Sequence, residues 1–457
     1  MSIPFQPIRI TDQELFQQYQ PQGCRICDQS FTSLFCWQDF YRTQWAVVED
    51  RLVVSCQIYG EGRRGYMILP DLRTERLPAL LQLLQEDSGS APLTLINLSE
   101  EDLPWLQEHQ PGQWGFDHNR DYDDYLYETV QFRTYKGKKL AAKRNHVNKF
   151  VKSYDYSYEP LSEQWFGACL QLEQRWQHAK GTSSEQQVAE QAVIRKAFQH
   201  FDALHLQGGI LLSEGVPIAF TYGSPLNGET FCVHIEKADT RYEGVYPMMA
   251  QQFAQHLPDA YRHINREEDM GLPGLRQSKE SYQPIAMEKK LTAVAFDRTM
   301  HEIVEVWTRC FGDEPAFVHS FLARYYAQDR AFLHREEGRV AGTCFLILCE
   351  TELGQVGYLY AIATLPEYRR QGIAAELVRQ ALDHCRDLQL AAALLIPADD
   401  TLTAYYAQFG FSQDRIALQF THDMDLGTGD PDKDKALFIK LKEDIDMPKS
   451  LNCTATL

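Results

Sequence analysis

The stretch "AIATLPEYRRQGIAAELVRQAL", residues 361–382, decides how the rest of the chain is read. Its apolar start predicts a strand, and helical periodicity sets in directly after a turn that carries Arg369, Gly372 and Ala374. A helix that begins behind small residues exposes unpaired backbone N–H groups and the positive end of its dipole, and together these suit a pyrophosphate. Gly372 and Ala374 have too little side chain to hold phosphates off that backbone.

Downstream lie the apolar run "LAAALLIP", the helical pattern "TLTAYYAQFGF" and the strand candidates "RIALQFT" and "KALFIKLK". Upstream, "RAFLHREEGRVAGTCFLILCE" reads as two strands around a Glu-Gly turn, followed by "GYLYAIAT". Earlier still, "TMHEIVEVWTRCFGD" and "EPAFVHSFLARYYAQD" have helical periodicity with cap-like Thr and Asp at their edges, and "MEKKLTAVAF" reads as one strand. The order β-α-α-β-β-β-α-β-α-β-β is α/β with a mixed sheet. A new domain therefore starts near Lys290 and is expected to span 291–445, with 446–457 a flexible tail.

With those residues in view, 291–442 resembles the GCN5-related N-acetyltransferase superfamily, whose coenzyme A loop reads R/Q-x-x-G-x-G/A after the fourth strand. Tyr406, Gly410 and Phe411 match the Y-x-x-x-G-F ending of that superfamily. The resemblance implies acetyl-CoA as acyl donor, with the backbone of Ile362, Ala363 and Thr364 holding its pantetheine arm. Arg369, Arg370, Gln371, Gly372, Ile373 and Ala374 would hold its pyrophosphate. Transfer from a thioester to an amine needs a deprotonated amine, a stabilised oxyanion and a proton for the departing thiolate. Tyr406 matches the usual general acid, while neighbouring Tyr405 is expected in the core. For the base, Glu350 and Glu352 at a strand end are candidates, and a water chain is the alternative.

Residues 1–290 contain a fainter echo of the same pattern, with Arg241, Gly244 and Tyr246 at matching offsets in "FCVHIEKADTRYEGVYPMMAQQFAQHL". The bulk of Tyr246 is expected to crowd a phosphate off this second helix start. Three segments, "GKKLAAKRNHVNKF", "VHIEKADTRYEGVY" and "INREEDMGLPGLRQSKESYQP", resemble the C-terminal catalytic domain of phosphatidylglycerol lysyltransferases and its soluble, mostly uncharacterised relatives. That resemblance implies two fused acetyltransferase-like folds and, for the membrane-bound members, aminoacyl transfer from tRNA to a lipid head group. The expected architecture is α/β: tandem acetyltransferase-like folds with mixed sheets flanked by helices, two in the N-terminal half and a third at the C-terminus.

Within these segments Arg266, Glu267, Glu268 and Asp269 follow an apolar strand, where strand ends of α/β sheets face ligand crevices. One acid would meet an amine and Arg266 a carboxylate or phosphate; a structural Arg-carboxylate network is the competing reading. Glu236, Lys279 and Tyr282 are further candidate polar contacts. In the basic run "YKGKKLAAKRNHVNKFVK" (135–152) a helix would align Leu140, Val147 and Val151 in an apolar stripe. Lys138, Lys149 and Lys152 then face solvent, whereas Lys143 and Arg144 flank the stripe as the anion contacts.

The totals bound the function. At 457 residues, 44% hydrophobic and 24% charged, the chain has a globular composition, and a net charge of −18 disfavours tight non-specific nucleic-acid binding. No stretch is long and apolar enough to span a membrane and the start lacks a signal-peptide layout, so a cytoplasmic protein is expected. The eleven cysteines read as reduced thiols; Cys24 and Cys27 form one CxxC without the second Cys/His pair a zinc site needs, and no metal is expected. The leading function is an acyltransferase moving acetyl from acetyl-CoA to a small-molecule or peptide amine. The alternatives are aminoacyl transfer by the N-terminal half, with a tRNA end bound there, or an N-terminal half that only recognises the acceptor.

Overall fold

The computed structural model describes residues 3–58, 63–180, 185–420, 426, 434–443 and 445–456. The chain forms two compact units, Met1–His109 with His118–Thr292, and Gln110–Asp117 with Ala293–Leu457. That Gln110–Asp117 is grafted onto the later unit has no local signal in the sequence.

In the first unit, strands β1 (Gln6–Pro7), β2 (Gln44–Val48), β3 (Arg51–Gln57), β4 (Arg64–Leu69) and β5 (Thr94–Leu98) follow one another across a mixed sheet. β6 (Trp114–His118) belongs mainly to the grafted segment. The middle sheet uses β7 (Asp124–Glu128), β8 (Tyr156–Pro160), β9 (Gln207–Ser213), β10 (Val216–Pro225), β11 (Thr230–Ala238), β12 (His263–Asn265) and β13 (Ala286–Glu288). Its order is β13-β7-β12-β11-β10-β9-β8, antiparallel except for β11 with β12. One face packs on helices Ala141–Ser153 and Val245–His256 through Phe150, Val233 and Met249, while the other packs on the first sheet and helix Phe31–Tyr41 through Phe35, Val54 and Tyr222.

The second unit opens within β14 (Leu291–Ala295), from Ala293 on, beside β6. Helix Arg298–Phe311 starts there because the Asp297 side chain accepts a hydrogen bond from Met300 N at 2.8 Å, and it ends at Gly312 with φ 80°. Met300, Ile303, Val306 and Trp307 fall on its buried face. The sheet contains β15 (Ala331–Glu336), β16 (Arg339–Thr351), β17 (Gly354–Thr364), β18 (Ala392–Leu395), β19 (Ile416–Phe420), β20 (Lys435–Lys440) and β21 (Ser450–Thr456), in the order β15-β16-β17-β18-β20-β19-β21. The fold class is thus the expected one, mixed sheets flanked by helices in tandem.

Three local expectations are corrected. Residues 446–457 are no flexible tail: β21 pairs parallel with β19 and antiparallel with Leu348–Glu350 of β16, beyond Phe345 where β15 stops pairing; residue 457 lies outside the described residues. Two open sheet edges are satisfied at once, and Leu451, Cys453 and Ala455 alternate into the core. "MEKKLTAVAF" is not one strand but β13 and β14, broken at Lys289 and Lys290, because Lys290 turns inward to Asp28, Asp124 and Glu268. In helix Ala141–Ser153 the apolar stripe is Leu140, Val147 and Phe150, with Val151 exposed.

Candidate functional site

In the second unit β17 pairs with β18 only at Gly357 and Tyr358. Its remaining length, through Ile362, Ala363 and Thr364, has no strand neighbour on that side among the described residues. A one-residue register shift against β16, between Thr343–Ala363 and Phe345–Tyr360, accompanies Ala361 at φ 48° and bends the strand away. Free backbone beside a bent strand is a seat for an extended ligand arm that adds hydrogen bonds as a strand would. Thr364 Oγ1, at the end of this segment, is buried without a partner.

The segment leads into the turn and then helix Ile373–Asp387, capped by Gly372 at φ 86°. Arg370 is also left-handed, at φ 63°, and such alternation aims successive N–H groups into one anion-binding concavity. Residues 369–372 are exposed, and a Cβ on Gly372 would meet nothing within 4 Å. The glycine is therefore required by its backbone angle, and the helix start is uncovered. Arg369 uses Nε on Thr364 O at 3.1 Å. Gly342, not singled out in the sequence, lets Ile373 sit on the sheet: a Cβ there would lie 2.7 Å from Ile373 Cγ2.

Tyr406, in helix Leu402–Ala407, is 7% exposed and packs edge-on against Phe411, while Tyr405 is half-buried, so the expected assignment of Tyr405 to the core is reversed. Burial pushes the Tyr406 phenol well above its ordinary value, which keeps it protonated. Gly410 at φ 94° makes the turn between Tyr406 and Phe411. Glu350 and Glu352 lie far along the strand from the bend in β17. They sit at the β16–β17 hairpin, where Glu350 accepts from Gln355 and Glu352 from Asn452, and Ala361 is seven steps along the strand from Gly354, about 23 Å.

The middle sheet repeats this construction. β11 shifts register between Tyr222–Ile235 and Gly223–Val233, leaving His234 as the bulged residue, and its pairing with β12 ends at Cys232–Asn265. Gly244, at φ 84°, caps helix Val245–His256. Here the helix start is covered: a Cβ on Gly244 would lie 2.5 Å from the carbonyl oxygen of His146 in helix Ala141–Ser153. The obstruction expected from Tyr246 thus has a different cause, since its hydroxyl accepts a bond from Trp176 Nε1, and Arg241 is held by Asp239.

Past β12 the four ionisable residues diverge. Arg266 Nη2 bonds Glu236 Oε1 at 3.0 Å, and the guanidinium lies over the rings of Tyr282 and Phe132. Its Nη1 is buried without a partner. The Lys143 ammonium stands 3.8 Å from the centre of the Tyr282 ring, and burial, with Arg266 nearby, lowers it to about 8. Burial raises the Glu236 carboxyl against the pull of Arg266 and Lys143. Lys143, Glu236 and Arg266 therefore converge, with Tyr282 buried between them and the Phe132 ring at 5.1 Å.

The other candidates are held by partners within the protein. Arg144 donates to Tyr135 O at 2.6 Å and Gly137 O at 3.3 Å. Lys149, expected to be only solvated, pairs with Glu243. Asp269 accepts from Arg120, Arg276 and Tyr125; burial would raise it, but these bonds hold it at about 2. Lys279 is buried and donates to the carbonyls of Arg266, Glu267 and Glu268, clamping the loop. Glu268 pairs with Lys290 at 3.2 Å. Sequence reasoning missed Ser224, His234 and Lys290 as site residues. His234 Nδ1 lies 2.9 Å from Glu267 Oε1 and Nε2 lies 2.8 Å from Ser224 Oγ. Burial would lower His234, but Cys232 and Glu267 raise it to about 10. The CxxC thiols diverge, Cys24 toward Gln29 and Cys27 toward Asp124.

Parted parallel strands that feed a glycine-capped helix, present twice in tandem, define an acyltransferase fold of the GCN5-related kind. The family description "Phosphatidylglycerol lysyltransferase, C-terminal" matches residues 20–294, more than half of the chain, and "Acetyltransferase (GNAT) domain" matches 294–413. The chain belongs to the phosphatidylglycerol lysyltransferase C-terminal family and carries an acetyltransferase domain behind it. A crystal structure of a conserved protein of unknown function from Bacteroides thetaiotaomicron is 37% identical, with TM-score 0.60 over 64% of this chain and 100% of that one. The L-PGS structure from Bacillus licheniformis is 15% identical, with TM-score 0.45 over 68% of this chain and 99% of that one. An uncharacterised protein of Mycoplasmoides gallisepticum is 29% identical over 167 residues, 35% of this chain; the chain spans about half (52%) of that curated relative. Among the described residues no helix is long and apolar enough to cross a membrane.

Proposed function

We propose that the second unit transfers acetyl from acetyl-CoA to an amine of a small molecule or peptide. The observation that carries this reading is the stretch of β17 that parts from β18 while staying paired with β16, running into the uncovered start of helix Ile373–Asp387. The backbone of Ile362, Ala363 and Thr364 would take the pantetheine arm, and Arg369 to Ala374 the pyrophosphate. The acceptor amine loses its proton to solvent or a water chain. The protonated Tyr406 phenol supplies a proton to the departing thiolate. Acetyl-CoA at a hundred times its dissociation constant should stabilise the unit by about 2.7 kcal/mol. Arg369→Glu should abolish that stabilisation, and Tyr406→Phe should lower turnover against an amine panel while leaving binding intact. If acetyl-CoA neither raises the melting temperature nor protects the Arg369 region, the reading fails.

A second reading is favoured by the buried, unpartnered Arg266 Nη1 beside Glu236 and Lys143. In it the first unit transfers an aminoacyl group from a carrier such as tRNA; its family is described by lysyl transfer to a lipid. Arg266 would bind the carboxyl-derived oxygen of that group and Glu236 its ammonium. Binding of aminoacyl-tRNA should then weaken steeply with salt, and Lys143→Ala should flatten the slope. A flat response in the unaltered protein would refute it. With either donor, the reading is of a protein that works in the cytoplasm.

A further inference from the structure

On the face of the middle sheet opposite Arg266 and Tyr282, three residues of different chemistry converge. Cys232 and His234 lie along β11, and Glu267 follows β12 with φ 57°, a left-handed angle that costs a non-glycine residue free energy. One ligand atom from each lies within 4.8 Å of the others. His234 Nδ1 and Glu267 Oε1 are 2.9 Å apart, and Cys232 Sγ is 3.8 Å from the same oxygen. Zinc bonds of about 2.0 Å to N or O and 2.3 Å to S, set tetrahedrally, place ligand atoms about 3.3–3.5 Å apart, between those two values.

The surrounding bonds orient the ligands. Ser224 Oγ on Nε2 leaves Nδ1 as the nitrogen turned to Glu267 and Cys232. Asn265 Oδ1 accepts from Glu267 N at 2.6 Å, and Lys279 grips the carbonyls of Arg266, Glu267 and Glu268. A neighbouring cluster, Cys27, Asp124 and Glu268, shows the contrast. Its cation is already present as the Lys290 ammonium, 2.7 Å from Asp124, 3.2 Å from Glu268 and 3.6 Å from Cys27. No lysine or arginine side chain pairs with Cys232, His234 or Glu267 among the described residues. Cys232 is fully buried, whereas the Glu267 side chain is 26% exposed, so a fourth ligand position opens outward.

We infer that Cys232, His234 and Glu267 bind one divalent cation of the zinc class, leaving a fourth position for water or a substrate oxygen. The thiolate excludes magnesium and calcium as the preferred ions, and the charge of thiolate plus carboxylate balances the cation. The test uses the full chain, stripped with a chelator and then given zinc(II) alone in competition with a chromogenic chelator. One zinc per chain should be retained, and cobalt(II) alone should produce a thiolate-to-metal charge-transfer band. Cys232→Ser should abolish the band and the retained zinc, with folding checked by circular dichroism, while Cys24→Ser should keep both. Ser224→Ala removes no ligand, yet should weaken zinc binding by about 10- to 100-fold because Nδ1 ligation depends on the Nε2 bond. No zinc held against the competitor, a stoichiometry unchanged in Cys232→Ser, or an affinity unchanged in Ser224→Ala would each overturn the inference. In the first case His234 and Glu267 form an ordinary ion pair.

Discussion

Gly244 and Gly372 hold the same position in two copies of one construction, and alanine should distinguish them sharply. Both cap a helix at nearly the same angles, φ 84° and 86°. Alanine in that left-handed region costs about 1–2 kcal/mol at either site. At Gly372 nothing else is added, because the new Cβ meets no atom within 4 Å. At Gly244 the Cβ would lie 2.5 Å from His146 O and 3.1 Å from His146 C. A helix carbonyl cannot move aside by changing rotamer, so helix Ala141–Ser153 must retreat, loosening Phe150 and Val147 from the core. Overpacking of that kind costs roughly a further 1–3 kcal/mol, for a total of about 2–5 kcal/mol at Gly244. Scanning calorimetry of the full chain, with acetyl-CoA used to mark the transition of the second unit, should show a drop of about 2–8 °C there for Gly372→Ala. The first unit should lose more free energy in Gly244→Ala. Acetyl-CoA binding should fall only in Gly372→Ala. Equal losses of stability from the two substitutions would refute the claim that one helix start is open and the other covered.

Lys290→Met should cost about 3–5 kcal/mol in denaturant unfolding, since it strands the fully buried carboxylate of Asp124 and takes the cation from the part-exposed Asp28 and Glu268. Burial would lower the Lys290 ammonium, but those acids raise it well above an ordinary lysine, so its contribution is complete below the ordinary value and lost only as pH rises through the folded one. Asp269 has the opposite sign: held at about 2, its contribution is complete above the ordinary aspartate value and lost as pH falls toward 2, an acid limb that Asp269→Asn should remove. Reductive methylation of Lys143, followed by NMR of the labelled amine, should titrate near pH 8, and a midpoint above 10 would contradict its stacked, half-buried place over Tyr282. Deleting residues 450–457 should destabilise the second unit by about 3 kcal/mol or more, chiefly through lost burial of Leu451 and Cys453, and an unchanged melting curve would contradict the pairing of β21.

Local signals carried the second unit. Period-two and period-3.6 patterns follow from the backbone alone, which is why the strand and helix order from β14 to β20 was legible. The Gly372 turn was legible for a related reason: a left-handed cap selects glycine whatever surrounds it. β21 was not, because a short strand in a polar segment forms only where two distant edges wait for it.

For the charged residues the division is sharper. The sequence by itself marked Lys143, Arg144, Glu236, Arg266, Glu268, Asp269 and Lys279 as candidates, since ionisable side chains beside apolar strands or helix stripes must find partners or solvent. It could not say which partners. Only the tertiary structure assigned Asp269 to Arg120 and Arg276, Lys279 to three carbonyls and Arg144 to two more, leaving Arg266 with an unused buried donor. It alone brought His234 to Ser224 and Glu267. The bulge at His234 turns that side chain and Ile235 to one face and Glu236 to the other, and a register shift is a property of two strands that neither encodes alone.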